Sequence, residues 1–281
     1  MANWYKIKSR GNVDDRRSLK PLAVGGVSIT AVALMLLTSY LSNGSIETTL
    51  RDVAQTVIEE QFQQTQNSSL AEDTSQYTGE DPYEEFVKIV LGSINDIWRQ
   101  FFSASGKSFT EPKLVLFRQA TASGCGIATS QVGPHYCSAD QTIYLDETFF
   151  DEMASRYGAQ GGDVAEAYVI AHEVGHHVQN LLGTLDELSS DDNETSVKLE
   201  LQADCYAGLW ANSIRDEGVF DAGEIREAMD AAAAVGDDRI QEKAQGYSNP
   251  ETFTHGTAEE REKWFTKGYE EGRVSACDIS S

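Results

Sequence analysis

Positive charge is what this 281-residue chain has least of: 22 lysines and arginines stand against 45 aspartates and glutamates, a formal net charge of −23. A nucleic-acid binder needs a basic stripe that releases counterions from phosphates, and an acidic body repels that backbone, so no nucleic-acid partner is expected. Self-similarity at a period of tens of residues is also absent, which argues against a solenoid or propeller. No CxxC pair occurs among the four cysteines, which makes a zinc–thiolate site a poor reading. Apolar residues are not scarce: at 40% they suffice for a real core, so disorder of the whole chain is not expected.

The little positive charge there is sits at the start. Lys6, Lys8, Arg10, Arg16, Arg17 and Lys20 outnumber Asp14 and Asp15, so the first twenty residues are basic and the remainder more acidic than the total suggests. Residues 21–41, "PLAVGGVSITAVALMLLTSYL", carry no charged side chain. About twenty apolar residues is the helix length that a bilayer core requires. With basic residues before the run and few after it, the positive-inside rule predicts a cytoplasmic N-terminus and an extracytoplasmic body. A cleaved signal peptide and a buried core helix are the competing readings; the run is long for a signal, and no convincing cleavage site follows it. The expected organisation is a basic cytoplasmic tail (1–20), a transmembrane anchor (21–42), a polar tether (43–80) and one folded domain (81–281). Within the tether, residues 50–62 offer a short amphipathic stretch, and 63–80 have almost nothing to bury. The domain opens on "YEEFVKIVLGSINDIWRQFF", where Phe86, Ile89, Val90, Ile94, Ile97 and Trp98 recur at helical spacing.

An extracytoplasmic body permits disulfides. Cys125, Cys137, Cys205 and Cys277 allow three pairings; the Gly and Pro punctuation of "GCGIATSQVGPHYC" favours Cys125 with Cys137, leaving Cys205 with Cys277. Four reduced thiols are the alternative if the orientation is otherwise.

Chemistry concentrates in "GGDVAEAYVIAHEVGHHVQNLLG", a helix predicted to start with Asp163 and Glu166 as a capping pair and to stop at Gly183. His172 and His176, four residues apart, project from nearly one face and can clamp one ion. Glu173 lies about 100° round the helix, beside the clamp, where a carboxylate can act as base toward a metal-bound water that attacks a carbonyl. His177 points off that face. A catalytic zinc takes three protein ligands, so a third must come from elsewhere. Asp186, Glu187, Asp191, Asp192 and Glu194 fall in a polar link. Glu200 belongs to a second helix-like segment, "VKLELQADCYAGLWANSI", and Asp204 follows one turn later on the same face. Two buried acids there need a cation and a donor, which a metal ion and a ligand imidazole N–H would provide.

HEVGH with "ELQAD" resembles the gluzincin pattern. More closely, "KLVLF", "SGCG", "VGPHYC", "IYLDETFF", "AHEVGHHVQNLLG", "ELQADCYAGLWA", "THGTAEEREKWFTKGYEEG" and the late "CD" resemble the membrane-anchored bacterial family known as putative neutral zinc metallopeptidases. The resemblance runs from about residue 81 to the end; only the final "CDIS" departs from it. It implies an α+β, zincin-like domain: a small mixed sheet on an active-site helix, with a helical C-terminal part. It also implies Zn2+ held by His172, His176 and Glu200, with Glu173 as base and Asp204 orienting a ligand histidine.

Upstream, "PKLVLF", "PHYC" and "TIYLD" read as strands, with residues 138–141 as a turn. The stretch around His135 to Cys137 is the candidate open edge for an extended peptide. His255, in a loop before a helix capped by Thr257 and Glu260, is the candidate oxyanion stabiliser; tying its own loop is the other reading. Tyr136 and Tyr168 are further donors that nothing ranks. The expected function is a membrane-anchored zinc peptidase acting on peptide or protein substrates. The alternative is a zinc-stabilised extracytoplasmic binding or scaffold protein that cleaves nothing; oligomeric state is not legible.

Overall fold

The structure, a computed structural model, describes residues 2–19, 81–152, 154–155, 161–188, 192–221 and 223–279. The expected anchor (21–42) and tether (43–80) lie outside the described residues; among the described residues no helix is long and apolar enough to cross a membrane.

The protein is α+β. In chain order the elements are β1 (Val13–Asp15), α1 (Pro82–Ala104), β2 (Lys113–Leu116), β3 (Ala120–Ser123), β4 (Gly126–Thr129), β5 (His135–Cys137), β6 (Thr142–Leu145), α2 (Thr148–Glu152) and α3 (Asp163–Leu182). There follow α4 (Thr184–Glu187), α5 (Asn193–Ile214), α6 (Ile225–Ala234), α7 (Asp237–Gln245) and α8 (Ala258–Glu271). The main sheet has the order β1-β2-β6-β5, with β5 antiparallel and the others parallel, and β3 and β4 form a separate hairpin. The three strands expected from "PKLVLF", "PHYC" and "TIYLD" are β2, β5 and β6. Strand β1 and the hairpin are additional; their short, polar sequences carry no apolar alternation.

Helix α1 starts where expected: the Asp81 carboxylate accepts the Tyr83 N–H at 2.9 Å, and Pro82 occupies the first turn, where a missing N–H costs nothing. Its apolar face buries Ile89, Val90, Ile94 and Trp98 against α3 and α5, with Trp98 edge-on to Tyr206 at 5.0 Å. Helix α3 is buried along most of its length and ends on Gly183, which takes the left-handed conformation (φ 82°). Its start differs from the expectation. Gly162 is the cap residue and Asp163 is the first helical residue, its carboxylate accepting the Ala2 N–H at 2.9 Å and the Trp4 indole N–H at 2.8 Å.

That contact shows how the N-terminal segment departs from a separate tail. Trp4 is 5% exposed and stacks on Trp210 at 6.3 Å, while β1 pairs along β2. The basic residues answer acids of the domain: Arg10 binds Glu85 at 2.5 Å, and Arg17 meets Asp15 at 2.6 Å, Glu147 at 3.3 Å and the α1 cap Asp81. A bilayer between residues 1–20 and the domain would separate β1 from β2 and Trp4 from Trp210, contacts that the described residues make.

Both expected disulfides form, Cys125–Cys137 and Cys205–Cys277, and no cysteine among the described residues is free.

Candidate metal centre

Two close helix crossings build the centre. A Cβ on Gly175 of α3 would meet the Ala203 Cα at 3.0 Å, so the glycine inside HEVGH lets α3 lie against α5. Where α5 crosses α8, a Cβ on Gly208 would come within 2.0 Å of the Phe265 carbonyl oxygen, and one on Gly268 equally near that of Cys205. Only glycine fits such an approach. The crossings bring His172 and His176 of α3, Glu200 and Asp204 of α5 and Arg261 of α8 to one point.

His172, His176 and Glu200 each direct a ligand atom to a common centre. The two Nε2 atoms are 3.2 Å apart, His172 Nε2 is 3.1 Å from Glu200 Oε2, and His176 Nε2 is 3.3 Å from Glu200 Oε1. Ligands about 2.0–2.1 Å from a tetrahedral zinc would be separated by roughly 3.3 Å, so the edges of this triangle fit that ion. The remaining ring nitrogens are committed elsewhere. His172 Nδ1–H donates to Asp204 Oδ1 at 2.8 Å and His176 Nδ1–H to Gln179 Oε1 at 2.9 Å, which leaves both Nε2 lone pairs facing inward. Lone pairs and a carboxylate converging in a buried space call for a cation.

The electrostatics mark this point as one that attracts positive charge. Burial opposes charge on His172, but Asp204 and Glu200 beside it outweigh that and push its pKa up to about 10. Burial likewise opposes charge on Glu200, yet His176 and His172 hold its carboxyl well below the usual carboxylate range. Asp204, completely buried, accepts four donors: Tyr168 O–H at 2.6 Å, His172, and Arg261 through Nε at 2.8 Å and Nη2 at 3.1 Å. Arg261 is 3% exposed and also lies 3.8 Å from Glu200.

Glu173 is buried to 6% exposure and lines the same cleft of about 710 Å³ as the three ligands, as do His135, Tyr136, His255 and Arg261. His255 Nδ1 lies 3.3 Å from Asp237 Oδ1, whose other oxygen accepts the backbone N–H groups of Thr254, His255 and Gly256. His177 is off the metal face, as expected, and fully buried in bonds to Tyr136 and Thr110.

Sequence reasoning missed Arg261, Gln179 and Asp237. Arg261 sits in "EEREKW", among charges that read as a solvated face. Gln179 lies one turn beyond His176, so a search for ligand supports at i+3 would have found it.

No solved structure matches the chain. It is similar to the uncharacterized protein YpfJ of Escherichia coli strain K12, 44% identical over 207 residues that make up 71% of this chain and 72% of that protein. It is similar also to the uncharacterized protein Rv2575 of Mycobacterium tuberculosis strain H37Rv, 44% identical over 202 residues, 67% of this chain and 68% of that protein. The family described as putative neutral zinc metallopeptidase matches residues 2–280, the N-terminal strand included. With zinc as the family's metal and a His–His–Glu triangle to receive it, the chain belongs to the putative neutral zinc metallopeptidase family.

Proposed function

We propose that the protein is a zinc-dependent endopeptidase with a zincin-like domain. The observation that carries this reading is the position of Glu173: a buried carboxylate on the helix that supplies two ligands, in the same cleft as all three. A purely structural site has no use for such a group.

His172, His176 and Glu200 would hold the ion, with Asp204 and Gln179 fixing the two imidazoles. Bound zinc supplies Lewis acidity, which makes water a competent nucleophile near neutral pH and polarises a carbonyl. The remaining work falls to side chains. Glu173 takes a proton from the attacking water and returns it to the leaving amine, so that it ends each cycle as a carboxylate. His255, whose Nδ1 meets Thr254 Oγ1 and Asp237, lines the cleft and would be the donor for the oxygen that gains negative charge. The terminal strand β5 offers backbone groups on its outer edge for pairing with an extended peptide.

The two disulfides support an extracytoplasmic domain. Membrane attachment through residues 21–42 belongs to the same proposal.

The test is Glu173→Gln: zinc content and unfolding temperature should match wild type while peptide hydrolysis falls by about 10²–10⁴-fold. Near-wild-type hydrolysis would remove Glu173 from its role. Absence of stoichiometric zinc in the wild-type chain would remove the reading itself.

A further inference from the structure

The residue after the second ligand histidine has its own task. His177 Nε2 is 2.7 Å from the Thr110 carbonyl oxygen, which can only accept, so this nitrogen carries the proton and Nδ1 is the acceptor. The Tyr136 hydroxyl donates to that Nδ1 at 2.9 Å and accepts from Asn180 Nδ2–H at 2.9 Å. His177 and Asn180 are three residues apart on α3, one turn, so both reach the same phenol. The Tyr136 and His177 rings pack edge to face at 5.3 Å, and Phe109 closes the other side of His177 at 5.7 Å.

Tyr136 is the middle residue of β5, the last strand of the sheet, and lines the cleft. One residue on, Cys137 is bound to Cys125, which lies in the turn of the β3–β4 hairpin. Strand β5 is three residues long and, among the described residues, pairs on one side alone, with β6, so its own ladder holds it weakly. Two cross-connections supplement that ladder. The disulfide joins β5 to the hairpin, and the phenol joins it to the helix that carries His172, Glu173 and His176.

We propose that Tyr136, His177 and Asn180 form a positioning latch that sets the distance and register of the β5 edge relative to the zinc-binding helix. A peptide lying along β5 thereby presents its scissile bond to Glu173. The inference rests on the peptidase reading and assigns these residues no contact with the reacting atoms. Its consequence is selective. Pairing along β5 contributes binding to a long peptide in the ground and transition states alike, whereas a short one is held mainly at the metal. The latch therefore governs extended substrates.

The test uses the full-length, zinc-loaded chain. A peptide library identifies a cleaved sequence of about ten residues, and a version trimmed to about four residues around the same bond is made; β-strand pairing needs the length that trimming removes. Tyr136→Phe deletes the bridging hydroxyl. Asn180→Ala, at a half-buried position, removes one donor and leaves Tyr136 on His177. Both variants should raise KM for the long peptide by roughly tenfold, with kcat within about twofold, KM for the short peptide unchanged and zinc stoichiometry intact, the signature of lost uniform binding. Equal losses for long and short peptides, losses that follow zinc content, or no change in either KM would overturn the latch. If the wild-type chain cleaves no member of the library, the peptidase reading fails and the latch falls with it. If wild type cleaves and the variants keep their KM values, only the latch fails.

Discussion

Arg261 and Asp204 form the buried pair on which the centre rests, and a double-mutant cycle tests it. Asp204 is inaccessible to solvent and Arg261 is 3% exposed, so the screening that makes surface pairs weak does not operate. Arg261→Met removes two charge-assisted bonds, of 2.8 and 3.1 Å, and leaves a carboxylate in the interior with only Tyr168 and His172 as donors. Breaking a buried pair from one side costs about 3–5 kcal/mol. At roughly 2–4 °C per kcal/mol for a chain of this size, unfolding should shift down by about 6–20 °C. Asp204→Asn is nearly isosteric and should cost less, since Glu200 stays 3.8 Å from the guanidinium. The double variant should be more stable than the two single losses sum to, by about 1–3 kcal/mol, because each partner is costly chiefly when left alone. Urea unfolding of the four proteins, with zinc in excess and again with chelator, gives all terms. An Arg261→Met chain within about 1 kcal/mol of wild type, or strictly additive losses, would refute the reasoning.

Three further outcomes are expected. His255→Ala should lower kcat by about 10²-fold with KM and zinc unchanged if its ring donates to the developing oxyanion; a change confined to stability would leave it only a loop tie. Replacing Cys205 and Cys277 together by alanine releases a loop with a sequence separation of 72 and should cost about 4 kcal/mol, against about 3 for the Cys125–Cys137 pair with its separation of 12, as read by denaturant unfolding. In cells, cysteines placed at Tyr5 and Tyr247, 75% and 63% exposed, should react with a membrane-impermeant maleimide from the same side; labelling from opposite sides would show that β1 does not pair with β2 in the cell.

Much of the metal centre was legible because its ligands are local or regularly spaced. His172, Glu173 and His176 occupy one helix turn, and Glu200 and Asp204 another. An acid in an otherwise apolar helical face advertises a partner. Arg261 was not legible, since a guanidinium in a charged stretch reads as solvated until a Gly208–Gly268 crossing lowers it onto Asp204. His177 shows the same limit: its periodicity placed it off the metal face, but its bond to Tyr136 spans 41 residues and depends on where β5 runs. In the N-terminal segment, composition and contacts point in different directions. Its basic residues match a cytoplasmic flank by composition, and only the three-dimensional pairing with Asp81, Glu85 and Glu147 identifies them as complements of an acidic domain.

By itself, then, the sequence placed the two ligand-bearing helices and the end of the first at Gly183, offered His172, His176 and Glu200 as candidate ligands, and favoured one of three cysteine pairings, because periodicity, spacing and turn chemistry are local. The tertiary structure alone decided that β1 pairs with β2 and Trp4 stacks on Trp210, that Arg261 meets Asp204, and that His177 bonds to Tyr136 of β5. Each of these is a contact between residues far apart in the chain, and no local pattern encodes the meeting of distant surfaces.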